Sequence, residues 1–274
     1  MRGDPGRLVR SALSSRAEGD VCSSTTDAPG ILSAMCGRAY ATYTEEELAI
    51  QYLNRRPLRL EGFGATYNLA PTQRAPVVFV RDGARMIDQF RWGLVPVWAK
   101  SVEAAAKYSL INARGEGIAE KRSYAKAFQC RRCVVPLSGF YEWKRGGKRK
   151  RPFAIHLRDR PIMSVAGVWE RWQPAGAPAP LHSFSIVTTR ANSFMAEIHD
   201  RMPVILAEMD VERWLDPDVH QPDRLRPLIR PCPPEWLTAY EVSTAVNSPT
   251  HNSADVLRPL VADVSVSTLR SVPR

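Results

Sequence analysis

The chain has few of the residues and segments that mark several large protein classes. Its five cysteines are an odd number, and they form no disulfide framework, which favours a reducing compartment. No apolar run approaches the roughly 20 residues of a membrane-spanning helix. Neither a P-loop nor a G-x-G-x-x-G motif occurs. We therefore expect a cytoplasmic protein that makes no membrane contact and uses no cofactor.

The cysteine spacing gives little support to a metal site. Cys130 and Cys133 form one C-x-x-C pair, but zinc requires a second pair of ligands at comparable spacing, and the sequence has none. We therefore predict no metal. Cys133 begins the apolar run Cys133-Val134-Val135, and we interpret it as a small core residue.

Size and charge indicate one domain with a polyanionic partner. At 274 residues and 44% hydrophobic content, the chain is long enough for one core of about 200 residues plus tails. The net charge of +10 favours binding to a polyanion. The densest basic run is Lys144 to Arg151, around a Gly-Gly turn. It is either a solvated hairpin tip or a loop that contacts phosphates.

Local patterns predict an α+β domain built on largely antiparallel sheet with peripheral helices. A capping box at Thr44 and Glu47 predicts a helix to about Asn54. Asp82-Gly83 predicts a hairpin between strands 75–81 and 84–92. The remaining predicted helices are 116–128, 192–198 and 209–215, and the remaining predicted strands are 133–144, 152–158, 162–171, 183–188 and 203–206.

The chain divides into three predicted regions. Residues 1–34 are rich in Ser, Ala, Gly and Arg and lack the apolar segment of a secretory signal, so we predict a disordered extension. It is either a propeptide or the product of an upstream mis-start. Residues 35–260 form the predicted domain, and residues 261–274 form a C-terminal tail.

The most informative stretch is Met35-Cys36-Gly37-Arg38. If the chain starts at Met35 and that residue is removed, or if the chain is cut there, Cys36 presents an α-amine and a thiol on one carbon frame. An α-amine has a reference pKa of roughly 8, against about 10.4 for lysine, so part of it is neutral at pH 7. Such an amine forms an imine with an aldehyde. The thiol then closes a five-membered thiazolidine, which an internal cysteine cannot do.

Three polar residues stand in apolar company along predicted strands or at strand ends. They are Asn112 in Leu110-Ile111-Asn112, Glu142 in Phe140-Tyr141-Glu142, and His199 after Ile198. A buried polar group is unfavourable by several kcal/mol unless it is paired. Each residue alone has an ordinary structural explanation as a hydrogen-bonded core or surface residue.

Together with the stretch around Cys36, these residues resemble the SRAP family, the SOS-response-associated peptidase or abasic-site-processing proteins. The resemblance spans roughly residues 35–260. The motifs occur in the family's order: Met35-Cys36-Gly37-Arg38, Tyr67-Asn68-Leu69-Ala70-Pro71-Thr72, Arg91-Trp92-Gly93-Leu94-Val95-Pro96, Ile111-Asn112-Ala113-Arg114-Gly115-Glu116, Cys133-Val134-Val135-Pro136, Gly139-Phe140-Tyr141-Glu142-Trp143, His199-Asp200-Arg201-Met202-Pro203 and Glu241-Val242-Ser243-Thr244-Ala245-Val246-Asn247.

The resemblance implies a catalytic set. Cys36 would capture the aldehyde of an abasic site in single-stranded DNA as a thiazolidine crosslink in the DNA damage (SOS) response. Glu142 would act as general acid and base, and His199 would transfer protons. Asn112 would orient the amine or a sugar hydroxyl. The protein would work as a monomer, associated with the nucleoid when it is bound to DNA.

The resemblance also implies a DNA-binding set. Arg38, Arg114 and Arg201 would hold phosphates, since the guanidinium fork binds phosphate oxygens in two places. Trp92 would stack on a base, with Pro71 as a wedge beside it. The other tryptophans considered are expected in the core or at its rim: Trp98, Trp143, Trp169 and Trp172.

Two other functions remain open from the sequence. Cys36, His199 and a third polar group suit a cysteine peptidase that could process its own propeptide. An AP-lyase-like activity would accompany imine chemistry. A non-catalytic module that binds single-stranded DNA through its basic surface is the remaining alternative.

Overall fold

Two β-sheets and a set of short helices make up the fold in the computed structural model, which describes residues 37–144 and 149–260. The strands are β1 Ala39–Ala41, β2 Thr66–Leu69, β3 Arg74–Arg81, β4 Ala84–Trp92, β5 Asn112–Arg114, β6 Arg132–Leu137, β7 Gly139–Lys144, β8 Arg151–Leu157, β9 Met163–Trp172, β10 Leu181–Arg190, β11 Arg201–Pro203 and β12 Leu237–Glu241. The helices are α1 Glu45–Tyr52, α2 Val102–Ala106, α3 Ala125–Cys130, α4 Ser193–Ala196, α5 Glu208–Leu215 and α6 Pro222–Leu225.

The first sheet has the strand order β12-β8-β7-β1-β2, and the second has the order β11-β10-β4-β3-β6-β9. Because β10 also pairs with β9, the strands β10, β4, β3, β6 and β9 close on themselves as a barrel. Strand β5 pairs with β10, in parallel. The pairs are otherwise antiparallel except for β10 with β4. The expected α+β class with largely antiparallel sheet is confirmed.

Side chains of the second sheet are buried on both faces, which explains its continuous apolar runs. On β3, Val77 and Phe79 belong to a layer shared with Phe140 and Ile155 of the first sheet. Val78, between them, faces the helices instead. The layer between the two sheets is called the inter-sheet core below.

Several expected elements are confirmed and several are wrong. Thr44 and Glu47 form both hydrogen bonds of a capping box, and β3 and β4 form the hairpin across Asp82-Gly83. The helix expected over 116–128 is wrong: only a 3₁₀ turn at Gly115–Gly117 and α3 are helical there. The strand expected over 203–206 lies at Arg201–Pro203. Strands β1, β2 and β12 are absent from the sequence-based expectation.

The strand expected over 133–144 is two strands in different sheets. The chain bends at Ser138, so that β6 enters the barrel and β7 enters the first sheet. Gly139 follows the bend, and a Cβ there would overlap the ring of Tyr40 and the carbonyl oxygen of Ile155. Glycine is therefore required at position 139, where β1 pairs closely with β7.

Two further expectations concern Cys133 and the basic run. Cys133 is fully buried, which confirms it as a core residue, and burial raises the pKa of its thiol. Lys144 pairs with Arg151 across the β7-β8 hairpin. The tip at 145–148 lies outside the described residues, as do 1–36 and 261–274. Among the described helices, none is long and apolar enough to cross a bilayer.

Arg132 is a buried cation that joins two helix ends. Its side chain donates to the carbonyl oxygens of Phe128 and Gln129 at the end of α3, at 2.9 and 2.7 Å. It also donates to Trp214 and Asp216 at the end of α5. Terminal helix carbonyls lack partners within the helix and carry partial negative charge. Arg132 therefore gives a charged donor to four carbonyl oxygens at the ends of two helices.

We predict that Arg132→Met lowers the free energy of unfolding by about 3 kcal/mol, because the carbonyls it serves would lose their charged donor. Urea denaturation followed by circular dichroism measures the change. Arg213→Met is the matched control, since Arg213 also lies at the end of α5 but is 62% exposed. The control should change stability by less than about 0.5 kcal/mol. Equal effects of the two substitutions would contradict this role of Arg132.

Candidate functional site

Glu142 lies beside the start of β1. The β1-β7 register pairs Ala39 with Phe140, and the Tyr141 amide donates to the Arg38 carbonyl at 2.9 Å. Continued by one residue, this register sets Gly37 opposite Glu142. Glu142 is only 3% exposed. It lies on the same face of β7 as Phe140 and pairs with Phe153, so its carboxyl group borders the inter-sheet core.

Cys36 lies outside the described residues, and its predicted role stays a prediction. It is joined to Gly37, whose position is described. The strand register therefore places the start of β1 beside the buried side chain of Glu142.

Arg38 is held by acceptors within the protein. Its guanidinium donates to Oδ1 of Asn68 at 2.8 Å, to the Val246 carbonyl at 2.7 Å and to the Asn247 carbonyl at 3.2 Å. Desolvation by burial lowers the pKa of Arg38, although Tyr141 opposes this shift. Arg38 thus ties the start of β1 to the segment Ser243–Asn252, which we call the C-terminal clamp. Its expected phosphate contact stays a prediction.

Asn68, fully buried on β2, is the centre of this clamp. Its Nδ2 donates to the carbonyl oxygens of Val246, Ser248 and His251, at 3.2, 2.9 and 2.8 Å. The backbone amide of Asn68 donates to Oδ1 of Asn252 at 3.0 Å. Both residues belong to polar segments that sequence reasoning did not connect. Side-chain amides bonding to main-chain groups across about 180 residues leave no local pattern.

Asn112 begins β5 and is aligned with Ile186 of β10. This register places Asn112 on the face of Ile186, which belongs to the inter-sheet core that Glu142 also borders. Its carbonyl accepts from the hydroxyl of Tyr124 at 2.9 Å. Burial raises the pKa of Tyr124 to about 12, so this hydroxyl keeps its proton at neutral pH. The backbone of Asn112 is therefore fixed independently of its side chain.

His199 precedes β11, on the other edge of β10. Its ring is 11% exposed, and Nδ1 accepts from the backbone amide of Arg201 at 3.1 Å. The neighbouring residues Ile198, Met195 and Met202 pack into the inter-sheet core. An open depression of about 600 Å³ beside the ring is lined by Arg190, Ala191, Ala196, Glu197, Ile198, His199 and Asp200.

The two other arginines assigned to phosphates differ in their surroundings. Arg201 is 14% exposed and forms a two-pronged ion pair with Glu116, in addition to a hydrogen bond to the Thr188 carbonyl at 3.0 Å. Arg114 is exposed and forms no ion pair with any described residue. Of the three arginines, Arg114 is therefore the one most available to an external anion.

The expectation that Trp92 stacks on a base is wrong. Trp92 is 0% exposed, and its indole nitrogen donates to the Ile111 carbonyl at 3.0 Å. Its ring stacks on Phe184 at 6.3 Å inside the inter-sheet core. The alternation of β4 places position 92 on the same inward face as Phe90, and no base reaches that face. Pro71, in the preceding turn, is partly exposed.

A different tryptophan lies at the surface among aromatic and basic groups. Trp98 is partly exposed and meets Tyr108 edge to face at 5.5 Å, while the guanidinium of Arg122 lies 5.1 Å from its ring centre. Tyr108 is 60% exposed and Val97 is 62% exposed. We call Val97, Trp98, Tyr108 and Arg122 the aromatic platform. The other expected core or rim tryptophans are indeed buried or half-buried: Trp143, Trp169 and Trp172.

The fold thus collects the polar site residues in two groups around one hydrophobic layer. Glu142 lies on the first sheet, opposite Gly37 when the β1-β7 register is extended, while Asn112 and His199 flank β10 of the second sheet. Glu116 and the aromatic platform were missed, because only the tertiary structure shows which side chains they contact. Within the described residues, no three His, Cys, Asp or Glu side chains are grouped as metal ligands.

Comparison with known proteins identifies the class. Residues 35–249 match the family model "SOS response associated peptidase (SRAP)", so the chain belongs to the SRAP family. It is 39% identical over 227 residues to "Abasic site processing protein YoqW" of Bacillus subtilis, covering 81% of this chain and 99% of that protein. It is 29% identical over 253 residues to "Abasic site processing protein HMCES" of Xenopus tropicalis, covering 82% and 75%.

A solved structure supports the same fold. A crystal structure of a protein from Bacteroides thetaiotaomicron aligns with a TM-score of 0.74 and 28% identity, over 82% of this chain and all of that chain. The family model begins its match at residue 35, the methionine directly before Cys36.

We predict that Asn68→Ala lowers the free energy of unfolding by about 2 kcal/mol, because the Ser248 and His251 carbonyls lose the Asn68 donor, while the Val246 carbonyl and Arg38 each lose one of their partners. Amide hydrogen exchange should rise within Ser243–Asn252 before it rises in the barrel. Asn247→Ala is the control, since that side chain is exposed and accepts only from the indole of Trp143. A loss spread evenly over the whole domain would refute a clamp centred on Asn68.

Proposed function

We propose that the protein captures abasic sites in single-stranded DNA as a covalent adduct with Cys36. The observation that carries this proposal is the register that sets Gly37 opposite the buried carboxyl group of Glu142. The names of the relatives YoqW and HMCES, abasic site processing proteins, point to the same DNA lesion.

The reaction needs the α-amine of Cys36 to be free. The ring-opened sugar of an abasic site carries an aldehyde at C1′. The amine adds to this carbon, and loss of water gives an imine. The thiol then adds across the C=N bond, its proton passes to nitrogen, and a thiazolidine ring closes. Atoms and electrons balance without an oxidant or a cofactor.

The buried groups suit the individual steps. Glu142 is positioned to move protons as the sugar ring opens and the imine forms, because it lies next to the start of β1 at the border of a water-poor layer. Asn112 faces the same layer and offers an amide that orients without titrating. His199 lies on the opposite side of β10 from Asn112, and its ring nitrogen would transfer a proton during the reaction.

Single-stranded DNA suits the surface better than a duplex does. The aromatic platform presents the exposed ring of Tyr108 and the partly exposed ring of Trp98 beside the guanidinium of Arg122, and unpaired bases stack on aromatic rings. Exposed Arg114 follows Asn112 by two residues, so a phosphate bound there would lie near the reacting sugar. A duplex keeps its bases stacked inside and would leave the platform unused.

We predict that the chain beginning at Cys36 forms an adduct with single-stranded DNA carrying one abasic site, and that the adduct survives heat and denaturant. Cys36→Ala keeps the amine but cannot close the ring, so its imine should be trapped only by borohydride. Denaturing electrophoresis measures both. Adducts of equal yield on undamaged DNA would sink the proposal.

The control for this experiment carries one extra residue before Cys36. It should lose the adduct and keep most of its non-covalent DNA affinity, since the platform and Arg114 do not require a free amine. The intact mass of each preparation establishes its first residue. Crosslinking by a chain whose mass shows a blocked Cys36 would contradict the aminothiol mechanism. A cysteine peptidase would instead release the residues before Cys36 with or without DNA.

We predict separately that Trp98→Ala weakens binding to single-stranded DNA by about 1 to 3 kcal/mol, with little loss of stability, because a stacking surface is removed. Fluorescence anisotropy at fixed salt measures the affinity. Met209→Ala is the control for losing an exposed apolar side chain, as Met209 is 83% exposed on α5 and lies outside the platform. Unchanged affinity in Trp98→Ala would show that the platform does not hold bases.

A further inference from the structure

We propose that Glu116 is a positioning residue that fixes the protonation pattern of the His199 ring. The proposal rests on the proposed function only for its kinetic consequence. Which ring nitrogen of His199 carries the proton is a property of the protein without DNA.

The turn from His199 to Arg201 defines which ring nitrogen carries the proton. The backbone amide of Arg201 donates to Nδ1 at 3.1 Å, so Nδ1 must offer its lone pair. A neutral imidazole has one protonated nitrogen. The proton of neutral His199 therefore lies on Nε2, and the ring presents a donor there.

Asp200 is the group that could reverse this pattern. Its Oδ1 lies 3.0 Å from Nδ1, but a carboxylate only accepts hydrogen bonds, so this contact needs a proton on Nδ1. The Arg201 amide, which is partly buried, would then lose its acceptor. Asp200 is 86% exposed and is served by water in either case. The hydrogen bond from the Arg201 backbone amide therefore determines which nitrogen of the neutral His199 ring carries the proton.

Glu116 holds the residue that supplies this amide. Both its carboxylate oxygens accept from the guanidinium of Arg201, which also donates to the carbonyl and hydroxyl oxygens of Thr188. The hydrogen bond from Arg201 lowers the pKa of Glu116, which keeps it ionised at neutral pH. Because the Arg201 side chain is bonded to both Glu116 and Thr188, the Arg201 backbone has little freedom to turn its amide away from Nδ1 of His199.

The position of Glu116 links His199 to the other side of the site. Glu116 lies in the 3₁₀ turn Gly115–Gly117 that directly follows β5, which begins at Asn112. A Cβ at Gly115 would overlap Ile229 and press on the Thr188 carbonyl, so this turn approaches β10 closely. One ion pair across β10 thus couples the strand that carries Asn112 to the turn that carries His199.

The mechanistic consequence separates two roles. A ring protonated at Nε2 donates a hydrogen bond to a sugar oxygen and does not abstract a proton there. Proton abstraction then falls to Glu142. Without Glu116, the ring would sample both patterns, and fewer molecules would hold the donor at the moment of reaction.

Nitrogen-15 NMR of the full chain reads the pattern directly. His199→Gln identifies the His199 signals among those of the five histidines. At a pH where the ring signals are those of neutral imidazole, we expect an unprotonated Nδ1 and a protonated Nε2. Glu116→Ala should show exchange between both patterns. A wild-type ring protonated at Nδ1 would overturn the proposal, even if Glu116→Ala failed to fold.

Kinetics supply the second measurement. Glu116→Ala should slow adduct formation at saturating DNA on the order of 10-fold, as loss of an orienting partner does, without weakening DNA binding. Glu116→Gln keeps one acceptor for Arg201 and should recover part of the rate. Glu120→Ala is the matched control, because Glu120 is 60% exposed against 54% for Glu116 and pairs with Arg226 elsewhere.

The outcomes are distinct. A Glu120→Ala protein as slow as Glu116→Ala, or a Glu116→Ala ring unchanged in its NMR pattern, would overturn the role of Glu116. A correct ring pattern in a wild-type protein that forms no adduct would count against the proposed function alone.

Discussion

The pairing of β1 with β7 is the constraint on which the candidate site depends. It is possible only because Gly139 leaves room for the ring of Tyr40, and it fixes which residue lies opposite Glu142. Shifting a strand by one residue would turn every side chain to the other face. Arg38 and Asn68 then bond to the C-terminal clamp, so contacts between residues 208 and 178 positions apart fix the start of β1 against the sheet.

Three arginines of this protein form their hydrogen bonds inside the fold, so they contribute less to the surface that a polyanion can reach. The net charge of +10 suggests a broad basic face. Yet Arg132 lies among helix carbonyls, Arg38 among clamp carbonyls and Arg201 against Glu116. An arginine already surrounded by acceptors gains less from a phosphate than a free one does. Arg114 is exposed and the aromatic platform lies at the surface, so these groups stay the proposed contacts to DNA.

Sequence reasoning predicted what local chemistry determines and failed where tertiary contacts decide. The capping box at Thr44 and the Asp82-Gly83 hairpin depend on neighbouring residues, and both are present. The family resemblance placed Glu142, Asn112 and His199 in one site, and the structure sets all three around the inter-sheet core. The resemblance implied a stacking role for Trp92, and the sequence alone does not distinguish an exposed tryptophan from a buried one. Glu116 was missed because its partner is 85 residues away.

Hydrogen bonds to main-chain groups help to fix the polar residues of this site or their neighbours. Tyr124 holds the Asn112 carbonyl, the Arg201 amide holds the His199 ring, and the Arg38 carbonyl accepts from Tyr141 beside Glu142. A main-chain donor or acceptor is present whatever residue occupies the position, whereas its direction depends on the strands around it. The chemistry of the site is therefore tied to the intact pairing of both sheets.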